Sequence, residues 1–189
     1  MDTLLTLQSS QISLYTLADF AKLFNIDNPQ TLYKKIARLE QKKIIQKLIK
    51  GKYRFLFHPK NDFTIANFLY QPSYISLESA LSFYGIITGF AYQITSITIK
   101  KPRNIDVDQQ EFKYSQFDSR LFWGYEKKED FLIAEPEKSL LDYIYLGTKG
   151  LRSLKFDEMD LTIVNPQKLV SYAKEFDNKQ IITIVQNLL

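Results

Sequence analysis

The sequence predicts an α+β protein, on three observations. Two short amphipathic helical patterns and a β-rich hairpin fill the first 60 residues, strand-like segments run between residues 94 and 134, and helical patterns return from residue 135 onward. At 189 residues, with 45% hydrophobic and 14% aromatic content, the chain has material for two packed units. The expected organisation is a front module over residues 1–60, a connector over 61–72 and a larger α+β domain over 73–189.

In the front module, Leu17, Phe20, Ala21 and Phe24 recur at i, i+3, i+4 and i+7, which is one face of a helix, and Thr16 stands at the N-cap position. Asn28 is a good N-cap for a second helix, and Pro29 suits a first helical position because its φ is fixed and it has no N–H to leave unpaired. Leu32, Ile36 and Leu39 then make a buried stripe, while Thr31, Lys34, Lys35, Arg38 and Lys42 share a neighbouring arc. After it come Ile44 to Ile49 and Lys52 to Phe57, two β-rich runs around Lys50-Gly51, with Lys47, Lys50, Lys52 and Arg54 on the tip and flanks.

Charge is unevenly placed. Residues 1–57 hold ten Lys or Arg against four acids, a net +6, and the remainder holds 15 against 17, a net −2. A basic helix on its own is usually a solvated face. Helix, turn, basic helix and basic hairpin in that order instead predict a winged helix-turn-helix that binds double-stranded DNA, with Thr31, Lys34, Lys35 and Arg38 toward the major groove and Lys42, Lys50, Lys52 and Arg54 on phosphates or wing contacts. A winged helix used for protein interaction is the alternative, because a fold does not fix a function.

Further on, residues 58–71 lack a clear period and carry at most a short helix near Ile65 to Leu69. Ser76 is expected to cap a core-facing helix carrying Leu77, Ala80, Leu81 and Tyr84, ended by Gly85, with Glu78 favourable to its dipole. Strands are expected at 94–100, 103–107, 111–117, 121–125 and 131–134, forming a small, mostly antiparallel sheet. Pro136 opens a helix that buries Leu140, Leu141, Ile144 and Tyr145, and two C-terminal helices span about 166–176 and 178–189. Trp123, Phe122 and Tyr125 are expected in the core, and Lys100, Lys101 and Arg103 form a second basic cluster that either contacts a partner or solvates a strand end.

The composition argues against most catalytic chemistry. There is no Cys, so disulfides, thiolate nucleophiles and Cys-based zinc sites are absent, and His58, the single histidine, cannot form a two-histidine metal site. No Gly-rich phosphate loop, G-x-S-x-G elbow or H-E-x-x-H helix occurs. Glu135, Glu137 and Asp142 could be imagined as metal ligands, but acids at a helix start have the simpler role of complementing its dipole. The expectation is no enzyme, no cofactor, no metal and no catalytic residues. With Asp2 in place of a cationic start and no apolar run near the roughly 18 residues of a membrane span, a cytoplasmic location without membrane association is expected.

Four stretches carry a family resemblance: Tyr74-Ile-Ser-Leu-Glu-Ser-Ala-Leu-Ser-Phe-Tyr-Gly-Ile-Ile, Ile94-Thr-Ser-Ile-Thr-Ile-Lys-Lys-Pro-Arg, Leu121-Phe-Trp-Gly-Tyr, and Ala134-Glu-Pro-Glu-Lys-Ser-Leu-Leu-Asp-Tyr-Ile-Tyr-Leu. In order and spacing, behind the basic front module, they resemble the AbiEi-like antitoxins of type IV toxin-antitoxin (abortive infection) systems over most of residues 10–147. The resemblance implies an autorepressor that binds inverted repeats in its own promoter, and a C-terminal domain that counteracts a nucleotidyltransferase-like toxin without a stable complex. A solitary winged-helix regulator, or an interaction module with no toxin partner, is the alternative.

Overall fold

The computed structural model describes residues 3–10, 12–88 and 92–189; Asp2, weighed above against a secretory leader, lies outside them. Contacts divide the chain into two compact units, Met1–Leu69 and Tyr70–Leu189.

The first unit runs α1 (Thr3–Ser9), β1 (Leu14–Thr16), α2 (Leu17–Phe24), α3 (Pro29–Gln41), β2 (Ile45–Ile49), β3 (Lys52–Phe55) and α4 (Asp62–Leu69). Helix α2 starts on a capping box: the Asp19 N–H donates to Thr16 Oγ1 at 3.2 Å and the Thr16 N–H donates to the Asp19 carboxylate at 2.7 Å. Asn25 ends it in the left-handed region, and Asn28 restarts the chain as N-cap of α3 by accepting the Thr31 N–H at 3.1 Å. Pro29 sits in the first turn, as its missing N–H requires.

Two parts of this unit have no expectation behind them. Helix α1 contributes the buried Leu7, and β1 pairs antiparallel with β3, making a three-stranded sheet in the order β1-β3-β2. Three residues of strand carry too little periodicity to be read locally; Tyr15 is fixed instead by stacking on Phe20 at 4.8 Å. Gly51, at φ +80°, makes the turn between β2 and β3. The core gathers Leu7, Tyr15, Phe20, Leu32, Ile36, Leu39, Ile45, Tyr53 and Phe55. The segment expected as a connector is largely α4, which starts at Asp62 and belongs to this first unit.

The second unit contains β4 (Ser73–Ile75), α5 (Leu77–Phe83), β5 (Gln93–Thr98), β6 (Arg103–Val107), β7 (Gln110–Gln116), β8 (Tyr125–Lys128), β9 (Phe131–Ala134), α6 (Pro136–Thr148), α7 (Pro166–Glu175) and α8 (Lys179–Leu188). Its sheet has the order β6-β7-β5-β4-β9-β8. The pairs β4/β5, β6/β7 and β8/β9 are antiparallel, as expected, but β5/β7 and β4/β9 are parallel. Pairing between strands far apart in sequence has no local marker, and so the mixed character comes only from the fold.

The strand expected at 121–125 is not formed. Asp118 accepts the Arg120 N–H at 2.9 Å and starts a 3-10 turn over Ser119–Leu121, and the strand begins only at Tyr125, after Gly124 at φ +70°. The aromatic run packs instead of pairing: Trp123 stands edge-on to Tyr172 at 4.9 Å and to Phe176 at 5.9 Å. Helix α6 is central to this core, with Leu140, Leu141 and Ile144 fully buried against α5, α7 and α8. No helix among the described residues is long and apolar enough to cross a membrane.

Candidate nucleic-acid interface

Leu32, Ile36 and Leu39 anchor α3 to the core, and most of its other residues are exposed. Thr31, Lys34, Lys35, Arg38 and Lys42 line one concave surface of about 460 Å³ together with the apolar Leu4, Ile26, Leu39 and Ile44. Four cations and a hydroxyl around one groove give a local positive potential suited to a polyanion. The five residues the sequence grouped on one arc are therefore brought together.

They are not equivalent. Lys34, Arg38 and Lys42 are exposed. Lys35 is half-buried, with its ammonium 3.9 Å from the centroid of the Phe24 ring, so a local cation–π contact holds it. Thr31 lies within the cap, its hydroxyl 3.4 Å from Asn28 Oδ1.

The hairpin residues also divide. Lys50 is exposed at the turn. Lys52 points elsewhere: its ammonium donates to the Phe68 carbonyl at 2.5 Å and the Leu69 carbonyl at 3.1 Å, at the C-terminus of α4, where the helix dipole favours a cation. Arg54 is half-buried, and its Nε donates to Gln46 Oε1 at 2.8 Å on the neighbouring strand. Alternation along β3 foretells that Lys52 and Arg54 share a face opposite Tyr53 and Phe55, but not that α4 supplies carbonyls to Lys52.

In the second unit, Lys100, Lys101 and Arg103 are exposed where β5 leads into β6. They gather around Tyr70: the Lys100 ammonium and the Arg103 guanidinium lie 5.7 and 5.6 Å from its ring centroid, and its hydroxyl donates to the Lys101 carbonyl at 3.1 Å.

A polar cluster that sequence reasoning missed lies inside this unit. Lys138 and Asp142 form an ion pair with both side chains fully enclosed. The Tyr74 hydroxyl donates to Asp142 Oδ2 at 3.0 Å, the Ser76 hydroxyl donates to the same oxygen at 2.7 Å, and the Lys138 ammonium also donates to Tyr74 Oη at 3.0 Å. Ser76 occupies the N-cap position of α5, as expected, but its hydroxyl serves Asp142 and caps nothing. Tyr74, Phe117, Trp123 and Phe176 surround the ammonium at 5.1 to 5.5 Å.

Burial pushes the Asp142 carboxyl above its ordinary pKa, opposed by Lys138 and the two hydroxyls, and burial pulls the Lys138 ammonium down, opposed by Asp142. Tyr74 is raised well above the usual phenol range by burial and by the Asp142 charge. The only legible hint was the i, i+4 spacing of Lys138 and Asp142, which is equally the spacing of an ordinary surface pair.

Glu135 and Glu137, weighed above as ligands, converge instead on Lys168 of α7, each at 3.2 Å. Glu135 also accepts the Tyr172 hydroxyl at 2.6 Å, and Glu137 accepts the Asn165 N–H at 2.9 Å. Glu78 is bonded to Arg152 at 2.5 Å, a partner 74 positions away that a dipole argument could not supply. Among the described residues, no group of three or more His, Cys, Asp or Glu side chains is arranged to hold a metal ion. No protein-family model and no curated protein sequence matches the chain.

Proposed function

We propose that this protein is a sequence-specific DNA-binding regulator whose first unit works as a winged helix-turn-helix, with α3 as the recognition helix and the β2–β3 hairpin as the wing. One observation carries the reading: Thr31, Lys34, Lys35, Arg38 and Lys42 converge on a single groove along α3. A helix anchored by one apolar stripe and bearing cations beside it meets the two needs of duplex binding, a rigid mount and phosphate neutralisation. The order of α2, α3 and hairpin is the order that docks a recognition helix in the major groove and a wing beside it.

On the motifs around Tyr74, Ile94, Leu121 and Ala134, the same reading extends to an autorepressing antitoxin that counteracts a nucleotidyltransferase-like toxin without a lasting complex. The deciding measurement is gel retardation of the protein's own promoter fragment. The parent retards it, and the Lys34→Ala/Arg38→Ala double variant does not, at equal folded content by circular dichroism. Equal retardation by the two proteins overturns α3 as the DNA-contacting helix. Rescue of growth on co-expression with the product of an adjacent nucleotidyltransferase-like gene tests the antitoxin part separately.

A further inference from the structure

The proposed cation groove takes in only one side of the exposed surface of α3, with Lys34 at its border. At about 100° per residue, Thr31, Lys35, Arg38 and Lys42 centre roughly 95° from the buried stripe of Leu32, Ile36 and Leu39, so they occupy a flank. Gln30, Tyr33, Lys34 and Ala37 centre roughly 140° from it and follow the i, i+3, i+4, i+7 line of one helical ridge. All four are exposed, Tyr33 at 51% of its surface. Of the flank residues, Lys35 is held over Phe24 and Thr31 belongs to the Asn28 cap, which leaves Arg38 and Lys42 there to reach phosphates.

Resting on the DNA-binding reading above, we infer that Gln30, Tyr33, Lys34 and Ala37 read base edges, and that the residue pair Gln30 and Ala37 sets a preference for A·T pairs in the half-site. Neutral side chains release no counterions from DNA, so a ridge that is three-quarters neutral beside a cationic flank divides into readout and anchoring. The Gln30 amide has a donor and an acceptor at the spacing of adenine N6 and N7, and the Ala37 methyl fits against a thymine methyl. The Tyr33 ring offers a second apolar surface of the same kind. From Gln30 to Ala37 the ridge is about 10 Å long, which matches about three base-pair steps.

The experiment is selection from a pool of random 30-base-pair duplexes by the parent, by Gln30→Arg and by Lys42→Ala. Arginine pairs with guanine O6 and N7 where glutamine pairs with adenine, so Gln30→Arg is expected to enrich the parental motif with one A·T pair per half-site changed to G·C, and to reverse the preference there by about tenfold or more. Lys42→Ala is expected to enrich the parental motif unchanged, with weaker binding. An unchanged motif from Gln30→Arg overturns the base-reading assignment while leaving DNA binding in place. A parent that retains no duplex even at low salt overturns the DNA-binding reading and this inference with it.

Discussion

Lys138 and Asp142 sit one helical turn apart on α6 and face each other across a space with no solvent access, each side chain fully buried. Their company comes from elsewhere in the chain: Tyr74 from β4, Ser76 from the junction of β4 and α5, and an aromatic surround that includes Phe176 after α7. An enclosed pair of this kind contributes little net stability, since desolvation offsets attraction, but it is costly to break from one side.

Lys138→Met is therefore expected to lower the stability of the second unit by about 3–5 kcal/mol, because it leaves Asp142 buried without its counter-charge. The double variant Lys138→Met/Asp142→Leu should recover part of that loss. What it does not recover is the acceptor for the buried Tyr74 and Ser76 hydroxyls, about 1–3 kcal/mol each. Urea unfolding of the two variants against the parent checks this, and a double variant no more stable than the single one contradicts it.

Lys52 and Lys50 are two positions apart and should behave oppositely. Lys52→Met removes a charged donor from the last carbonyls of α4 and is expected to cost about 1–2 kcal/mol of stability. Its effect on DNA retardation should be small. Lys50→Ala should leave stability within about 0.5 kcal/mol and, on the proposed DNA-binding reading, lower the salt slope of duplex binding by about one unit. Thermal melts and titrations at several salt concentrations separate the two.

A pH dependence follows from Lys168. Burial works against its charge, but hydrogen bonds and charge from Glu137 and Glu135 outweigh burial and hold its pKa above the ordinary lysine value. A pKa raised in the folded state means stabilisation that is complete below the unfolded value, about 10.4, and lost as pH rises through the folded one. The stability difference between the parent and Lys168→Met is thus expected to be constant at neutral pH and to shrink above about pH 10.5. A difference that stays flat across that range removes Lys168 from the account.

Local chemistry made most of the elements legible. Thr16 with Asp19, Asn28 with Pro29, and Pro136 mark helix starts because capping and the proline φ act within a few residues. Gly51 marks its turn for the same reason. The run from Leu121 to Tyr125 misled because aromatic residues favour strands and core packing alike, and here packing against Tyr172 and Phe176 won.

By itself the sequence determined the α+β class, nearly all the helices, the hairpin, and the gathering of Thr31, Lys34, Lys35, Arg38 and Lys42 along α3 and its C-cap, since each depends on neighbours within about two helical turns. Tertiary structure alone decided the parallel pairings β5/β7 and β4/β9, the turning of Lys52 onto α4, and the enclosure of Lys138 with Asp142. Those features depend on groups brought together from distant positions, and whether a charge faces water or another charge is settled only when the chain has packed around it.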